Sequence, residues 1–266
     1  MKQIDFKIIP IDLLEHYKSC FDQSLQNTFY ELHDSELSME TFSFYTSVSA
    51  VFSSKIEGEN IDLDSFIKHK RFGTKYQPDY TQKIDDLYNA YLFAQENKLT
   101  AQALEQTHAQ LTKHILQKVQ QGKFRKGNMF VVTKDGKIEY VAATPEKVKA
   151  EMKKLYADME VLLANDLSFD EIFFFASMLH LVFVKIHPFE DGNGRTARLL
   201  EKWFLAQKLG DKAWFLQSER NYYDQHQIYY NNIRLLGLEY DELKYTEALL
   251  FLQMLPNAIK YKDKIN

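Results

Sequence analysis

A chain of 266 residues with 45% hydrophobic and 26% charged side chains can bury a sizeable core, and its 9 glycines and 5 prolines leave little room for disordered linkers. A net charge of −4 at pH 7 excludes the basic surface that non-specific binding to nucleic-acid phosphates requires, so we expect no nucleic-acid partner. The single cysteine, Cys20, excludes an internal disulfide and favours a reducing compartment such as the cytoplasm.

The sequence predicts neither export nor membrane insertion. Asp5, Lys7 and Asp12 interrupt the N-terminal segment, so it lacks the long apolar stretch of a secretory signal. The most apolar run, residues 172–184, is thirteen residues long and contains His180, whereas a membrane span needs roughly 20 residues. We therefore expect a cytoplasmic protein with no membrane partner and a buried helix at this run.

Apolar residues recur three and four positions apart along most of the chain, and strict alternation is almost absent, which predicts a mainly α fold. The first predicted helix covers residues 39–55, and Gly58 after it offers the left-handed position that ends a helix. Further helices are predicted at residues 83–96 and from Thr100, a good N-cap, to residue 116.

One region breaks the helical period. Residues 129–133 and 138–141 are rich in β-forming side chains, and between them lies Asp135-Gly136, a strong hairpin turn signal. The sequence therefore predicts a β-hairpin here, the one convincing β element of the chain.

The helices after the hairpin have well-specified ends. Thr144-Pro145 suits the N-cap and first residue of one helix. Ser168 and Glu171 form a capping box that begins the apolar helix. That helix must end at His187, because Pro188 disfavours helical geometry in the residue before it.

The tail predicts two more packed helices, from a tyrosine-rich segment near residues 222–230 and from the apolar segment 249–255. No sharp domain boundary stands out along the chain. We divide it into an N-terminal helical segment, residues 1–98, and a core with C-terminal helices, residues 99–266.

The segment between the apolar helix and the next one, residues 187–198, carries the candidate chemistry. Gly192 and Gly194 permit backbone conformations closed to other residues, so successive N–H groups can converge on an anion at a helix start. The helix dipole adds positive potential there. Arg195 and Arg198, three residues apart, place two guanidinium groups at the same end, an arrangement that suits a polyphosphate.

Asp191 and His187 complete this candidate site. A lone carboxylate beside phosphate oxygens is a common way of holding Mg²⁺, so Asp191 predicts a nucleotide with Mg²⁺ or Mn²⁺. His187 has an intrinsic pKa near 6.5 and is the candidate general base. Phe189 is predicted to anchor the loop in the core. Each feature alone is more often structural than functional, but here all of them coincide at one helix start.

Residues 187–198 resemble the signature of the Fic family, His-Pro-Phe-x-Asp/Glu-Gly-Asn-Gly-Arg-x-x-Arg, at all nine fixed positions. The resemblance implies a Fic-type helical bundle with a small β-hairpin flap beside the active-site loop. It also implies a role for each motif residue. The base is His187 and the metal ligand is Asp191; the α- and β-phosphates are held by Gly192, Asn193 and Gly194, and the outer phosphates by Arg195 and Arg198.

The resemblance extends beyond this motif. The predicted hairpin is similar to the family's flap, which positions a target segment by adding it to a strand edge, although a plain structural hairpin is the alternative. Tyr229 and Tyr230 resemble the C-terminal segment that lies near the adenine in relatives. An aspartate at position 191 fits AMP transfer better than the altered motif of Doc-type kinases.

Residues 53–58 resemble the family's inhibitory motif, Ser/Thr-x-x-x-Glu-Gly/Asn, with Ser53, Glu57 and Gly58 at its fixed positions. The resemblance implies that Glu57 pairs with Arg198. A carboxylate there would occupy the guanidinium that holds the γ-phosphate and would add like charge beside the incoming anion. ATP would then bind only in an unproductive pose.

Taken together, the resemblance implies an autoinhibited protein adenylyltransferase that moves AMP from Mg-ATP to a tyrosine, threonine or serine hydroxyl of a target protein. Removal of AMP by the same site, and a nucleotide-binding regulatory module without turnover, are the alternatives. A metal-dependent hydrolase is disfavoured, because no second histidine or acidic cluster at helical spacing accompanies His187. The target and its acceptor residue are not specified, and a homodimer is left open.

Overall fold

The computed structural model describes residues 5–40, 42–132, 136 and 138–261, and most of these residues are helical. The α-helices are α1 Leu14–Cys20, α2 Leu25–Tyr30, α3 Phe44–Ile56, α4 Leu63–Phe72, α5 Pro78–Glu96, α6 Ala101–Leu111, α7 Pro145–Ala164, α8 Phe169–Ile186, α9 Asn193–Leu209, α10 Ser218–Asp224, α11 His226–Arg234, α12 Leu249–Leu252 and α13 Met254–Asn257. Short 3₁₀ helices cover Asp211–Phe215, Tyr240–Glu242, Tyr245–Glu247 and Ala258–Lys260. The predicted mainly α fold is confirmed.

The hairpin is also confirmed. Strands β1 (Phe130–Val132) and β2 (Ile138–Val141) pair antiparallel, and an irregularity in the register follows Val131. Of the predicted turn, Gly136 has a φ of +81°, a conformation that favours glycine. The other predicted hairpin residues, 133–135 and 137, lie outside the described residues.

Helix α8 forms the centre of the molecule. Every one of its residues except Val184 is buried, and α9 packs along it in the most extensive helix–helix contact of the described chain. The capping box at Ser168 and Glu171 begins α8, as predicted, and α8 ends with His187 as its C-cap. The sequence therefore places both ends of the central helix correctly, and with them the start of the candidate site.

Two predicted helix starts are wrong. The helix predicted from residue 39 begins at Phe44, because Ser43 caps it: its Oγ accepts from the amide of Thr46 at 3.3 Å. Residues 39 and 42 instead form a short backbone bridge. The helix predicted from residue 83 begins earlier, at Pro78, whose fixed φ suits the first helical turn.

The prediction from Thr100 is right at its start and wrong at its end. Thr100 caps α6 by accepting from the amide of Ala103 at 3.1 Å. The helix stops at Leu111 rather than continuing to residue 116, and the backbone of Thr112 leaves helical geometry there. In the tail, each of the two predicted helices is divided into two short ones, α10 and α11 in the first case and α12 and α13 in the second. Gln225 separates the first pair and Gln253 separates the second.

One hydrophobic cluster contains residues from both predicted segments of the chain, residues 1–98 and 99–266. Phe29 of α2, for example, packs against Phe173 of α8 with ring centroids 6.0 Å apart. Buried Asp158 of α7 accepts hydrogen bonds from the amides of residues 7–9 at 2.7–2.9 Å. In the described part of the chain, no helix has the length and apolarity needed to cross a membrane.

Candidate active site

His187 lies at the C-terminus of α8 in a strained conformation. Its φ of +54° makes it the only non-glycine residue with positive φ among those the structure describes, and such a conformation costs roughly 1–2 kcal/mol. Its Nδ1 donates to the carbonyl of Val184 at 3.2 Å, so the lone pair lies on Nε2. The ring lines a cavity together with Gly194 and Arg198. Nε2 is therefore the atom able to accept a proton there.

The surroundings keep this imidazole neutral. Burial lowers the pKa of His187 from 6.5 to about 4, and the charge of Arg125 acts in the same direction. The hydrogen bond to Val184 and the negative charges of Glu57 and Asp191 oppose this shift without reversing it. A neutral imidazole is the form that a general base requires.

The residues that follow His187, residues 188–194, include the first two residues of α9 and form what we call the glycine turn. The side chain of Asn193 braces it: Oδ1 accepts from the amide of Phe189 and Nδ2 donates to the carbonyl of Phe189, both at 2.9 Å. Gly192 has a φ of +79°, and a Cβ on it would lie 2.7 Å from Thr112. Because α9 begins at Asn193, the amides of residues 193–195 have no intrahelical partner and remain available to an anion.

Phe189 is fully buried, as the sequence predicts for a core anchor. Its ring stacks on His108 of α6, with centroids 3.6 Å apart. Nδ1 of His108 accepts from the amide of Gly122, so Nε2 donates to the carbonyl of Asp191; both contacts measure 2.9 Å. The position of the glycine turn thus depends on His108, which the sequence analysis missed because a contact to a backbone carbonyl follows no residue spacing.

The carboxylate of Asp191 is exposed at the edge of the glycine turn. One of its oxygens accepts from the amide of Gly192 at 2.5 Å, and the other oxygen accepts no hydrogen bond from the described residues. The nearby side chain of Arg195 is almost fully buried, yet its Nε has no hydrogen-bond partner among the described residues. A free carboxylate oxygen and an unpaired guanidinium N–H suit a cation and an anion respectively.

Arg198 is completely enclosed by the predicted inhibitory motif. Its Nε donates to Oγ of Ser53 at 2.9 Å, and its Nη2 donates to the Ser53 carbonyl at 3.0 Å and to Oε1 of Glu57 at 2.6 Å. Burial alone would raise the pKa of Glu57, but the charges of Arg198 and Arg195 outweigh it, so the net pKa lies below 4.5. We call the ion pair of Glu57 and Arg198, whose inhibitory role is a prediction of the resemblance, the inhibitory contact.

Glu57 also reaches the first turn of α9. A Cβ built on Gly194 would collide with Oε1 of Glu57, so this carboxylate fills the space that the glycine leaves open. Glu57 is the C-cap of α3, and Gly58 after it has a φ of +91°, which confirms the predicted helix end. The carboxylate therefore lies where the amides of α9 would meet an anion.

Helix α3 contacts α9 through a stripe of three polar residues spaced four apart: Ser49, Ser53 and Glu57. Ser49 Oγ accepts from the buried ammonium group of Lys202 at 2.7 Å, and the other two residues bind Arg198. Residues four apart share one face of a helix, and the same spacing separates Arg198 and Lys202 on α9. The inhibitory contact is thus the last of a row of contacts between the two helices.

Tyr229 and Tyr230, predicted to lie near an adenine, both line the cavity. Tyr229 is buried, and its hydroxyl contacts Nε2 of His180 at 2.9 Å and Nη1 of Arg198 at 3.4 Å. Nδ1 of His180 in turn contacts Glu201 at 2.8 Å. The structure therefore brings Tyr229 to the guanidinium of Arg198. The predicted contact of Tyr229 and Tyr230 with an adenine stays a prediction.

The cavity beside His187 measures about 140 Å³, and a wider groove of about 1000 Å³ adjoins it. Sites for small molecules usually measure about 300–1,000 Å³, so the inner cavity alone is small for a nucleotide. Glu57 and Tyr230 line both spaces, as do Val131 and Glu139 of the hairpin. The hairpin therefore lies beside the candidate site, as predicted for a flap, and Glu57 stands between the cavity and the groove.

Comparison with known proteins finds a family match over the segment that contains residues 187–198. Residues 98–205 match the model of the Fic/DOC family. The protein adenylyltransferase Fic of Nematostella vectensis is 29% identical over 141 residues, which are 53% of this chain and 30% of that protein. The chain thus spans less than a third of the length of this curated relative.

Solved structures show the same fold. A Fic family protein from Desulfovibrio desulfuricans G20 superposes with a TM-score of 0.71 at 18% identity, covering 98% of this chain and 78% of that one. A Fic domain containing signaling protein from Bacteroides thetaiotaomicron gives 0.63 at 19% identity, covering 93% and 91%. The chain thus resembles the Fic/DOC family at residues 98–205 and has the fold of these Fic proteins.

Proposed function

We propose that this chain is a protein adenylyltransferase that moves AMP from ATP onto a tyrosine, threonine or serine hydroxyl of a target protein. The observation that supports this best is the meeting of three groups at one cavity: the neutral imidazole of His187, the guanidinium of Arg198 and the open amides at the start of α9. The name of the Nematostella relative supports the same reaction. The proposal includes a cytoplasmic location and neither a nucleic-acid nor a membrane partner; a homodimer is left open.

In the proposed step, the target's hydroxyl oxygen attacks the α-phosphorus of ATP, and the bond from that phosphorus to the oxygen bridging the β-phosphate breaks. The hydroxyl proton passes to Nε2 of His187, and pyrophosphate leaves with the electron pair of the broken bond. The amides of residues 193–195, with Arg195 and Arg198, would hold the phosphates and stabilise the charge that develops on them. Tyr229 and Tyr230 would contact the nucleoside.

Mg²⁺, or Mn²⁺ in its place, fits the free carboxylate oxygen of Asp191. Among the residues described, no group of three or more His, Cys, Asp or Glu side chains could hold a metal ion. A lone carboxylate suits an ion that takes its other ligands from phosphate and water. Bound with ATP, the ion would neutralise phosphate charge.

We also propose that the inhibitory contact restrains the transfer. Glu57 occupies the guanidinium and the space over Gly194 that the outer phosphates would use. A charge-assisted hydrogen bond contributes about 1.5–3 kcal/mol, enough to change the competent population by roughly tenfold to more than a hundredfold. Because the pKa of Glu57 lies below 4.5, the carboxylate stays charged, and the inhibitory contact persists, at every pH above that value.

The test compares three variants incubated with labelled ATP, Mg²⁺ and a cell lysate. Glu57→Gly removes the carboxylate and is expected to raise label transfer about tenfold or more. Glu57→Gly combined with His187→Ala removes the base and is expected to abolish the transfer. Glu59→Gly is the matched control: it removes a neighbouring carboxylate that pairs with Lys83 at 2.7 Å, and it should leave transfer at the wild-type level.

Equal transfer by Glu57→Gly and the wild type would remove the inhibitory role. No transfer by either protein, with ATP or any other nucleotide, would contradict the transferase itself.

Removal of AMP is the second candidate function. It is favoured by the carboxylate of Glu57, which lines the same cavity as His187 and could orient an attacking water molecule there. A wild-type protein that releases AMP from a pre-modified target, and loses this activity in Glu57→Gly, would support it. Nucleotide binding without either activity would instead support a regulatory module.

A further inference from the structure

Arg125 lies in the connection between α6 and β1 and is almost fully buried, with 3% of its surface exposed. Its backbone amide donates to the carbonyl of Pro188 at 2.9 Å, and its Nε donates to the carbonyl of His187 at 2.7 Å. Both contacts fix the backbone on which the candidate base is mounted. They also satisfy carbonyl groups at the C-terminus of α8, where a cation opposes the helix dipole favourably.

The other end of the same guanidinium holds the hairpin. Nη1 donates to the carbonyl of Gly127 at 2.7 Å, three residues before β1, and Nη2 donates to the carbonyl of Ala143, two residues after β2. Nη2 also contacts the carbonyl of Ile186 at 3.4 Å. The guanidinium of Arg125 therefore joins the chain on both sides of the hairpin to the backbone of His187, the candidate base.

These partners are an unusual set for a buried arginine. Within the described residues, every hydrogen bond of the Arg125 side chain goes to a backbone carbonyl, and no carboxylate lies at ion-pair distance from it. The carbonyls belong to three separate segments, which the five N–H donors of a guanidinium can reach from a fixed fork, whereas an ammonium group directs three donors from a single nitrogen and reaches only carbonyls that lie close together. The geometry thus requires arginine in particular rather than any positive charge.

We propose that Arg125 is a positioning residue that sets the distance between the hairpin and Nε2 of His187, and thereby between the target's hydroxyl and the base. The inference rests on the proposed function and on the flap role that the resemblance implies, in which the target segment binds along the hairpin edge. Displacement of a reacting group by about 1 Å can lower a rate roughly a hundredfold. Loss of the guanidinium should therefore act on the chemical step rather than on ATP binding, because Arg125 contacts neither Arg198 nor the amides of α9.

A second residue of the chain provides a matched control. Lys208, near the C-terminal end of α9, donates to three carbonyls at the end of α7: those of Leu162 at 3.1 Å, Leu163 at 3.4 Å and Asn165 at 2.5 Å. At a rise of 1.5 Å per residue, Lys208 lies about 22 Å along α9 from the glycine turn. It makes the same kind of contact as Arg125, far from His187.

The experiment introduces Arg125→Ala, Arg125→Lys or Lys208→Ala into the Glu57→Gly protein, whose own transfer activity tests the proposed function. We expect Arg125→Ala to lower kcat about tenfold to a hundredfold while KM for ATP changes less than about threefold. Arg125→Lys should recover only part of the loss. Millimolar free guanidinium should partly restore Arg125→Ala, and the same concentration of ammonium should not. Lys208→Ala should lower the melting temperature and leave kcat unchanged.

Three results would overturn the inference: full activity in Arg125→Ala, equal loss of kcat in Lys208→Ala, or a rise in KM for ATP with kcat unchanged. If Glu57→Gly shows no transfer at all, the proposed function fails separately. Hydrogen exchange then still decides the positioning role, because it needs no turnover. Arg125→Ala and Arg125→Lys should accelerate exchange of the amides of β1 and β2 relative to Lys208→Ala, and unchanged exchange would contradict the role.

Discussion

Burial holds the pKa of His187 near 4, so its imidazole stays unprotonated, and free to accept a proton, throughout the neutral range instead of becoming protonated near pH 6.5. The hydrogen bond to Val184 selects the nitrogen that does so. Both effects follow from one backbone feature, the positive φ that directs the ring from the end of α8 toward the cavity.

The protonation state of His187 can be measured directly. We expect its ring resonances, assigned by their loss in His187→Gln, to report a neutral imidazole at pH 6 in the nucleotide-free wild type. An ordinary histidine with a pKa of 6.5 would be mostly protonated at that pH. A midpoint of titration at or above pH 6 would contradict this prediction.

The same shift links His187 to stability. Between pH 6.5 and about 4 the unfolded chain binds a proton at this residue that the folded chain does not, so the contribution of His187 to folding stability falls as the pH falls through that window. In His187→Gln this part of the pH dependence should disappear.

At the residue scale, the sequence was sufficient to identify the candidate site residues from His187 to Arg198, because one loop and one helix turn fix their spacing. It was insufficient for Arg125 and His108, which act through backbone carbonyls of residues distant in sequence. Such contacts need only a donor at the right place in space, and no periodicity in the chain reveals them. Ser53 and Glu57 were found through a motif resemblance, and not through any physical rule of spacing.

At the scale of elements, a buried ion pair between α9 and α10 also holds α3, which is attached to α9 by the inhibitory contact as well. Lys202 and Glu219 are both fully buried, and Nζ of Lys202 also donates to Ser49 on α3. The hydroxyl of Tyr91 on α5 donates to the same glutamate at 2.7 Å. Four helices, α3, α5, α9 and α10, therefore meet at this pair.

We expect Lys202→Met to lower the free energy of unfolding by about 3–5 kcal/mol, because it leaves the carboxylate of Glu219 buried without a counter-charge. Adding Glu219→Gln should recover part of this loss by removing the charge. Urea denaturation monitored by circular dichroism measures both. Lys147→Met, which breaks an exposed pair with Asp241, is the control and should change stability by less than about 1 kcal/mol. A small effect of Lys202→Met, equal to that of the control, would contradict this prediction.

Local signals predicted the elements well where capping chemistry marks an end, as at Ser168 and Thr100. They failed where the deciding interaction is a single side chain that competes with helix propensity. Apolar residues continue past Leu111 at helical spacing, yet the amide of His114 donates to the carboxylate of Asp86 at 3.0 Å and the helix stops. The start of α3 shifted because the hydroxyl of Ser38, which could cap a helix from Met39, accepts instead from the amide of Phe44 at 3.0 Å, and Ser43 caps the helix.

At the scale of the whole molecule, the aromatic face of α8 is covered by the N-terminal helices. Phe21 and Phe29 pack on Phe173, and Tyr17 packs on Phe174 with ring centroids 5.4 Å apart. The division at residue 98 stays a prediction about organisation. The shared core nevertheless has a physical consequence, because the second segment alone would expose this apolar face to water.

We therefore expect a chain of residues 99–266 to lack a cooperative thermal transition and to bind a hydrophobic dye, because it cannot cover α8. Calorimetry and dye fluorescence, compared with the full chain, measure this. Loss of cooperativity on removing residues 1–98 would also explain any loss of transfer activity without reference to Glu57. A sharp transition close to that of the full chain would show that the second segment folds independently.

The open space over Gly194 also bears on how this protein can change over generations. Any side chain at this position would displace the carboxylate of Glu57 and would also obstruct the amides at the start of α9. A substitution at position 194 would therefore change the inhibitory contact and the proposed phosphate site together. A lineage selected for unrestrained activity would have to acquire its mutations in α3, where the carboxylate originates, and could not do so in the turn.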